Sequence, residues 1–265
     1  MKKVSIIIPM HNSSKHIEEC IGSVLNQTYF NIEIIVVDDN SVDNSVSIVE
    51  TMDDDRIKII KLDQNVGAAK ARNTGINAAT GDLICFLDSD DYWVFDKLEK
   101  QVKFIEQNKY AFIYSDYAYL KNGEVQHIAH VPDSINYRQA LKNTTIFTST
   151  VMFNMELLSK QDIYMPNVQK GQDTATWWKV LKKGITAHGI NEVLAYYRVG
   201  EKSLSSNKIK ALKRTWDLYN RENLSWFKKV FCFCCYVWNA VKRRFFWDFL
   251  IGDGENFFNW GRRKF

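Results

Sequence analysis

The sequence predicts an α/β fold built on an open, mostly parallel sheet that is flanked by helices. Four segments within the first 107 residues repeat one order: an apolar strand, a few turn residues and an amphipathic helix. Their strands are continuous runs rich in Val and Ile, which is typical of parallel strands buried on both faces. Polar residues follow three of the four strands, at the edge where open sheets bind their ligands.

The four strand and helix units fill the first half of the chain. Strands are predicted in the segments VSIIIPM, IEIIVVDD, RIKIIKL and DLICFLD. Helices are predicted to follow them over residues 14–27, 42–52, 67–79 and 96–107. The carboxyl ends of the strands are expected to bring one set of residues to a single edge: Pro9, His11, Asn12, Asp38, Asp39, Asp88 and Asp90.

The pattern changes from Ala111 onward. The segments AFIYSDYAYL, VQHIAHV and TSTVMFN predict strands joined by hairpins or loops, and a helix is predicted over residues 173–183. The segment ITAHGINEVLAYYRV predicts two short strands. Residues 111–207 are therefore expected to shape the site of a second substrate against residues 1–110, or to form a purely structural extension. Residues 208–265 predict a helical extension.

Composition and charge describe an ordinary globular protein with an uneven distribution of charge. Residues 208–265 contain 13 Lys and Arg against 5 Asp and Glu, a net charge of about +8, whereas the whole chain carries +4. The five cysteines have no spacing typical of a metal site, so we expect reduced thiols. The longest uncharged apolar candidate, VFCFCCYVWNAV, is shorter than the roughly 20 residues that a membrane-spanning helix needs.

The segment FLDSDDYW places Asp88, Asp90 and Asp91 directly after a predicted buried strand. Carboxylates crowded at a sheet edge repel one another, and a divalent cation would remove that repulsion. Mg²⁺ and Mn²⁺ take oxygen ligands and commonly bridge one or two carboxylates to a substrate phosphate. The alternative is an acidic turn that caps the helix expected from Asp96.

Two further segments indicate a site for an anionic ligand. GAAKARNTG lacks the G-x-G-x-x-G order and follows the third strand, so we exclude a dinucleotide cofactor. Its Arg72 lies near a helix N-terminus, where a guanidinium and free N–H groups favour an anion, although a surface ion pair is an alternative. Asp39 ends the second strand, where it can accept a hydrogen bond from a pyrimidine base or form a turn.

Four blocks of the sequence together resemble the inverting, GT-A fold glycosyltransferases of family 2. They are VSIIIPMHNSSKHIEECIGSVLNQTY, EIIVVDDNSVDNS, NVGAAKARNTGI and GDLICFLDSDD, in the family's usual order. The resemblance runs from about residue 4 to about residue 205. It implies a Rossmann-like sheet in a domain of residues 1–207. It also implies metal-dependent, inverting transfer of a sugar from a nucleotide-diphosphate donor, expected to be a UDP-sugar, to a saccharide hydroxyl.

The resemblance also implies roles for individual residues. Asp39 would accept a hydrogen bond from uracil, and Asp90 would bind Mn²⁺ or Mg²⁺ as the second carboxylate of a D-x-D motif. Asp88 would lie near both the ribose and the metal. The nucleotide-binding residues implied in this way are Pro9, His11, Asp39, Arg72 and Asp88.

The segment KGQDTATWWKVLKKG offers Asp173 as the general base that takes the proton of the acceptor hydroxyl. In the family this Asp begins a helix and often follows a Glu, which is Gln172 here. A helix cap is the alternative role for Asp173. Trp177 and Trp178 on the same helix are expected either to floor the acceptor site or to pack in the core.

One departure from the family concerns the strand AYYR. Family members often have a His shortly after this strand that helps to hold the metal or the diphosphate. Gly200 and Glu201 occupy that region here. Arg198, Lys202 or Ser203 is expected to compensate.

The segment WFKKVFCFCCYVWNAVKRRFFWDFL predicts a basic, aromatic helix. Its basic residues Lys228, Lys229, Arg243 and Arg244 fall mostly on one side. Broadly opposite lie Phe227, Cys234, Trp238, Val241, Phe245 and Phe249. Such a helix is expected to lie in an anionic membrane interface, and packing on the domain or on another subunit is the alternative. No nucleic-acid-binding motif accompanies it.

The resemblance extends to capsule and O-antigen enzymes, which implies a cytoplasmic enzyme that is peripheral on the inner face of the cell membrane. There it would extend a lipid-linked glycan in bacterial surface polysaccharide synthesis. Two other classes compete with this interpretation. A non-catalytic nucleotide-sugar-binding or membrane-associated assembly protein would keep the fold without turnover. A nucleotidyltransferase would need a glycine-rich, basic loop after the first strand, which PMHNSSKH does not provide.

Overall fold

The computed structural model describes residues 1–143, 145–168, 171–199 and 208–251, with the side chains of residues 212–241 in the last range. The strands of the first half are β1 (Val4–Met10), β2 (Ile32–Asp38), β3 (Ile57–Lys61), β4 (Leu83–Phe86) and β5 (Tyr92–Trp93). The helices are α1 (Ile17–Leu25), α2 (Ser45–Glu50), α3 (Ala68–Ala78) and α4 (Lys97–Asn108). The four predicted strand and helix units are therefore confirmed.

The second half mixes strands and short helices. Its strands are β6 (Phe112–Lys121), β7 (Glu124–Ala129), β8 (Ser134–Ile135), β9 (Met152–Asn154) and β10 (Ala187–Arg198). Its helices are α5 (Tyr137–Ala140), α6 (Lys160–Ile163) and α7 (Gln172–Lys182), with a 3₁₀ turn at Thr148–Thr150. The predicted strand TSTVMFN is therefore a strand only in its second part.

The expectation of two short strands in ITAHGINEVLAYYRV is wrong, because the segment forms the single strand β10. The pairing of β10 with β6 shifts register between Ile190 and Val193 and again between Val193 and Ala195. These irregularities place the exposed, polar Asn191 and Glu192 outside the ladder. A bulge takes up extra residues without ending a strand, so the polar interruption does not divide β10.

The strands form one mixed sheet in the order β3-β2-β1-β4-β9-β6-β10-β5, with β7 on β6 and β8 on β10. The first four strands of this order are parallel, as are β6 and β10. Because β1 lies between β2 and β4, the carboxyl ends of all three meet at one edge. This is the edge that the sequence predicts for a ligand.

The core is continuous through the first half of the sheet, where every residue of β1 is buried. Helix α3 packs so closely on β1 that a Cβ atom at Gly75 would lie 2.4 Å from Ile7 Cγ2. Ile7 is itself fully buried and cannot move aside. The glycine is therefore required for the close approach that sets the distance between α3 and the sheet.

Two helices follow the sheet: α8 (Lys208–Arg221) and α9 (Trp226–Ile251). Tyr219 of α8 stacks on Trp178 of α7, with ring centroids 5.4 Å apart, and Phe233 of α9 packs edge-on against Trp216 of α8. No helix among the described residues is long and apolar enough to cross a membrane. The domain boundary at residue 207 stays a prediction, because residues 200–207 lie outside the described ranges.

Gly75→Ala should lower the free energy of unfolding by about 1–3 kcal/mol, because the new methyl group overpacks the contact with Ile7. Urea denaturation followed by circular dichroism measures this change.

Gly22 in α1 is the matched control, since a Cβ atom there would have no neighbour within 4 Å. Gly22→Ala should raise the free energy of unfolding by about 0.5–1 kcal/mol through helix propensity alone. Equal effects of the two substitutions would show that the close approach of α3 to β1 is not tight.

Candidate active site

Residues 88–91, which follow β4, are named the acidic turn. Of its three carboxylates, one lies in the interior and the others lie nearer the surface. Asp91 is buried and accepts hydrogen bonds from Ser149 Oγ at 2.6 Å and from the backbone N–H of Arg198 at 3.2 Å. Burial and the neighbouring carboxylates of Asp88 and Asp90 raise the pKa of Asp91 well above its ordinary value. Asp91 therefore anchors the turn to the second half of the chain.

Asp88 is half-buried and forms an ion pair with Arg72, which reaches it from α3. Its backbone N–H donates to Ser149 Oγ at 3.2 Å. Arg72 is buried, and its Nη1 also lies 3.6 Å from Met165 Sδ. Arg72 therefore forms an ion pair, as the alternative expects, but a buried one and not one at the surface, and its role in nucleotide binding stays a prediction.

Asp90 is exposed at the tip of the turn. Desolvation and the nearby Asp88 carboxylate raise the pKa of Asp90 to about 6. Arg198 holds the turn from β10: its Nε donates to the backbone carbonyl of Asp90 at 3.0 Å, and its Nη2 pairs with Glu19 at 2.7 Å. The side chain of Asp90 is thus left at the surface while its backbone is fixed.

The donor set suits a hard divalent cation that shares its ligands with a substrate. Asp88 and Asp90 supply two carboxylates that repel each other. No group of three or more His, Cys, Asp or Glu among the described residues could hold a metal ion alone. Mg²⁺-type cations usually bind through one or two carboxylates, with water and substrate phosphates as the other ligands. The two residues fit that pattern of binding.

Asp39 is buried and fixes the entry to α3. Its Oδ1 accepts a hydrogen bond from the N–H of Val66 at 2.7 Å, and its Oδ2 accepts from the N–H of Gly67 at 2.8 Å. Gly67 has φ +87°, a conformation that favours glycine, directly before the helix. Each carboxylate oxygen keeps a second lone pair, so hydrogen bonding to a base stays a prediction beside the observed turn role.

His11 and Pro9 lie beside Asp39 at the end of β1. His11 is exposed, and its Nδ1 is 2.9 Å from the backbone carbonyl of Asp39. Pro9 is buried and pairs in register with Val37 of β2. The structure therefore brings the predicted nucleotide-binding residues of β1, β2, β4 and α3 to one edge of the sheet.

Asp173 lies in the first turn of α7, after Gly171 with φ +80°. Its Oδ1 accepts a hydrogen bond from the N–H of Thr174 at 2.7 Å. One turn further along α7, the ring of Trp177 contacts that of Phe86, two residues before the acidic turn, with centroids 6.4 Å apart. Within the described ranges no hydrogen bond or ion pair joins Asp173 to the acidic turn, which leaves its carboxylate available to another partner.

The structure bears on the two roles considered for Trp177 and Trp178, the floor of the acceptor site and packing in the core. Trp177 is 3% exposed and packs among Phe86, Phe112 and other core rings at centroid distances of 5.5–6.4 Å. Trp178 is 1% exposed and stacks on Tyr219. Both rings also line a small cavity together with Thr174. The packing alternative is therefore observed for both residues, and a role in acceptor binding stays a prediction.

Two residues of the site region have roles that the sequence analysis missed. Ser149 joins Asp88 to Asp91 from 58 or more positions away in the chain, and no local pattern marks it. Lys97 is fully buried, with Nζ 2.6 Å from Gln101 Oε1 and 3.7 Å from the centroid of the Trp93 ring. Burial lowers the pKa of Lys97 to about 8. Lys97 and Gln101 are one helical turn apart on the apolar side of α4, and this spacing could have predicted the burial of Lys97.

Comparison with known proteins identifies the family. The sequence profile of glycosyl transferase family 2 matches residues 5–161, more than half of the chain. The chain belongs to glycosyl transferase family 2. TuaG of Bacillus subtilis (strain 168), a family relative named for teichuronic acid biosynthesis, is 44% identical over 246 residues, which cover 91% of this chain and 97% of TuaG.

A second relative of this family 2 glycosyltransferase is WfaP of Escherichia coli. WfaP is named a UDP-Glc:alpha-D-GlcNAc-diphosphoundecaprenol beta-1,3-glucosyltransferase. It is 38% identical over 246 residues, which cover 93% of this chain and 97% of WfaP. Both relatives align along nearly their whole length, so the similarity extends past the matched profile into the second half of the chain.

Two solved structures share the fold. S. aureus TarS 1–349 in complex with UDP-GlcNAc superimposes with a TM-score of 0.69 at 22% identity, covering 89% of this chain and 71% of TarS 1–349. The mannosyltransferase PcManGT from Pyrobaculum calidifontis, in complex with GDP-Man and Mn²⁺, gives a TM-score of 0.66 at 20% identity, covering 88% and 68%. The expected GT-A fold is confirmed.

Some of the residues considered in place of the family's His after the strand AYYR lie outside the described ranges. Gly200, Glu201, Lys202 and Ser203 lie outside the described residues. Arg198 lies inside them, and its contacts are with the backbone of Asp90 and with Glu19. Arg198 therefore positions the turn of this family 2 enzyme.

The pH dependence of stability tests the burial of Lys97. Below pH 8 both folded and unfolded states carry the charge, and the folded state bears the full cost of burying it. Between pH 8 and about 10.5 the folded state loses its proton first, so stability rises with pH. Relative to Lys97→Met, the wild-type free energy of unfolding should increase by about 3 kcal/mol across this range.

Urea titrations of both proteins from pH 7 to pH 10.5 measure that difference. Ionisable groups that do not interact with Lys97 contribute equally to both proteins and cancel. Cys85 does interact with Lys97, so both proteins should carry Cys85→Ala. Parallel pH profiles would show that Lys97 keeps an ordinary pKa in the folded protein.

Proposed function

We propose that this family 2 glycosyltransferase transfers a hexosyl or N-acetylhexosaminyl group, with inversion, from a UDP-sugar to a lipid-linked saccharide in bacterial surface polysaccharide synthesis. The observation that carries the proposal is the acidic turn. It buries Asp91 as an anchor and leaves the Asp90 carboxylate at the surface, at the edge where β1, β2 and β4 end. A divalent cation and a nucleotide diphosphate fit that edge.

The nucleotide occupies the edge from β2 to β4 in this proposal. Uracil lies against Pro9 and His11 and donates to Asp39, whose carboxylate is already fixed by two backbone N–H groups. Arg72 and Asp88 lie toward the ribose and diphosphate. The UDP-Glc in the name of WfaP and the UDP-GlcNAc bound to TarS support a uridine donor.

Asp90 and Asp88 would hold Mn²⁺ or Mg²⁺ in the proposed complex. Such a metal would supply Lewis-acid stabilisation of the charge that develops on the diphosphate leaving group. The Mn²⁺ in the PcManGT structure supports this class of cofactor. Arg198 keeps the Asp90 backbone in place, so the outward carboxylate needs little reorganisation to bind.

Asp173 is the proposed general base. Its carboxylate takes the proton of an acceptor hydroxyl while that oxygen forms a bond to the anomeric carbon of the donor. The bond from the anomeric carbon to the diphosphate oxygen breaks, and UDP leaves with its electron pair. Its position in the first turn of α7 supports this role, because one turn further along the helix Trp177 contacts Phe86, two residues before the acidic turn.

The acceptor is proposed to be lipid-linked, as the diphosphoundecaprenol in the name of WfaP supports. Helix α9 supports an approach to the membrane. Cys232 and Tyr236 are buried, so this side of α9 packs on the protein. A second side carries an exposed stripe at helical spacing: Phe227, Phe231, Cys234, Trp238 and Val241.

A helix with exposed aromatic residues, beside the exposed Lys228, is suited to an anionic membrane interface. The buried side of α9 agrees with packing on the domain, and the exposed side supports the proposed contact with the membrane. The side chains of Arg243, Arg244, Phe245 and Phe249 lie outside the described residues. The proposed location is the cytoplasmic face of the cell membrane, where the protein is peripheral.

Asp173→Asn should abolish sugar transfer and leave donor binding unchanged, because it removes the base and keeps the shape of the side chain. Nucleotide release from a panel of UDP-, GDP- and TDP-sugars, with Mn²⁺, with Mg²⁺ and with chelator, measures turnover. Calorimetric titration with UDP and metal measures binding. Turnover that survives in Asp173→Asn, with weaker donor binding, would contradict the assigned role.

Asp90→Asn is expected to weaken UDP binding, in contrast to Asp173→Asn, and the same assays measure it. It should lose the metal-dependent part of UDP affinity, since one of two carboxylate ligands is replaced by a neutral amide. UDP binding by the wild type without any turnover, in the presence of lipid-linked acceptors, would favour the non-catalytic alternative.

The combined substitution of Phe231→Ser and Trp238→Ser should reduce partition of the protein to anionic vesicles roughly tenfold, because two exposed rings no longer enter the interface. Co-sedimentation with phosphatidylglycerol vesicles measures the partition. Phe30→Ser is the matched control, since Phe30 is also highly exposed but lies between α1 and β2. Equal partition of all three proteins would contradict the membrane role of α9.

A further inference from the structure

The segment between α6 and α7 lies against the helix that carries Arg72. Met165 of this segment is 3% exposed, and its thioether Sδ lies 3.6 Å from Arg72 Nη1. The other terminal nitrogen of the guanidinium, Nη2, pairs with Asp88. A residue of the second half of the chain therefore covers one side of a cation at the donor site, the edge where the nucleotide is proposed to bind.

Asn73, the next residue of α3, holds Met165 by both polar groups of its backbone. The half-buried Asn73 donates from Nδ2 to the carbonyl of Met165 at 2.8 Å, and its Oδ1 accepts from the N–H of Met165 at 2.8 Å. Two hydrogen bonds from one planar amide fix both the position and the direction of the bound backbone. A carboxylate could not replace the amide, because it has no proton to donate to the carbonyl.

Helix α7 holds the same segment from its other side. Lys179 Nζ donates to the carbonyl of Gln161 at 2.9 Å and to the carbonyl of Tyr164 at 2.7 Å. Tyr164 directly precedes Met165. The segment is therefore bonded to α3 and to α7 around Met165, which keeps its side chain beside Arg72.

The contact between Met165 and Arg72 restricts the guanidinium and leaves its charge in place. A thioether sulfur is only a weak hydrogen-bond acceptor, so it does not compete with a carboxylate or a phosphate for the cation. A free arginine side chain samples many rotamers, and a ligand that binds it must offset the entropy of fixing them. Burial beside Met165 fixes the side chain before any ligand binds.

We propose that Met165 is a positioning residue of the donor site and that Asn73 holds it in place. Met165 keeps the Arg72 guanidinium directed at Asp88, so that both residues are fixed before the nucleotide diphosphate binds. The proposal rests on the proposed function, because it takes Arg72 and Asp88 as residues of the donor site. It gives that site a further residue from the second half of the chain.

Calorimetric titration with UDP and Mn²⁺ tests the proposal in variants of Met165. Met165→Ala should weaken UDP binding roughly five- to tenfold, because the guanidinium is then free to sample other rotamers. Met165→Leu keeps the apolar volume beside Arg72 and should bind UDP within about twofold of the wild type. Rescue by leucine distinguishes a positioning role from a need for the sulfur atom.

Ile163→Ala is the matched control for the loss of buried volume. Ile163 is fully buried in the same segment, two positions before Met165. Its truncation should lower the urea midpoint about as much as Met165→Ala does and leave UDP binding unchanged, since both remove a large apolar side chain. Equal weakening of UDP binding by the two substitutions would overturn the positioning role.

Asn73→Ala tests the hydrogen bonds to Met165 and should weaken UDP binding roughly threefold, because Met165 is then held less firmly. Lys160→Met is its matched control. Lys160 Nζ also makes two hydrogen bonds to α3, to the carbonyls of Asn77 at 3.0 Å and Ala79 at 2.7 Å, but at the carboxyl end of the helix. Lys160→Met should leave UDP binding unchanged.

Nitrogen-15 NMR of the arginine side chains measures the position of Arg72 without any ligand. The Nη signals of Arg72, assigned by their absence in Arg72→Lys, should show slow rotation and slow exchange with water in the wild type. Asn73→Ala and Met165→Ala should speed both processes, and Lys160→Met should not. Fast rotation of these groups in the wild type would contradict the proposal.

The outcomes separate the positioning role from the proposed function. UDP binding that is the same in the wild type, Met165→Ala and Asn73→Ala would overturn the role of Met165 and leave the proposed donor site in place. Absence of UDP binding by the wild type, with slow rotation of the Arg72 guanidinium, would overturn the proposed function while the packing of Met165 on Arg72 stands.

Discussion

The hydrogen bond from Ser149 to the buried carboxylate of Asp91 is the contact on which the rest of the site depends. It joins a turn of the first half to a loop of the second half, and Arg198 adds a backbone N–H from β10. A buried carboxylate is costly without partners, so any arrangement that separates these segments is strongly disfavoured. The anchored Asp91 lets its neighbours Asp88 and Asp90 remain close together at the edge of the sheet.

The cations around the acidic turn position it and neutralise only part of its charge. Arg72 pairs with Asp88 only, and Arg198 binds the backbone of Asp90 and the carboxylate of Glu19. Desolvation, and after it the repulsion between the Asp90 and Asp88 carboxylates, raises the pKa of Asp90 to about 6. In the proposed complex, a divalent cation bound by Asp88 and Asp90 would remove this repulsion.

The sequence predicted those parts of the fold that local patterns encode. Continuous apolar strands and the residues at their ends were enough for the parallel half of the sheet and for one shared edge. The role of Ser149 was missed because its hydrogen-bond partners are distant in the chain. The sequence predicted two strands in place of β10 because the polar residues of a bulge resemble those of a loop. For Trp177 and Trp178 the sequence left two roles open, core packing and acceptor binding, since aromatic residues occur at the same helical spacing in both cases. Only the fold shows that both rings pack in the core.

The C-terminal helices connect the proposed membrane surface to the helix that carries the proposed base. Tyr219 of α8 stacks on Trp178 of α7, and a Cβ atom at Gly171, two positions before Asp173, would lie 3.1 Å from Leu218. Helix α9 packs on α8 and exposes its aromatic stripe on another side. A protein lying on a membrane by α9 would therefore hold the first turn of α7 at a fixed distance from the lipid surface. The saccharide of a lipid-linked acceptor is also held near that surface by its lipid. The packing of α7, α8 and α9 would therefore place Asp173 at the same height above the membrane as the acceptor saccharide.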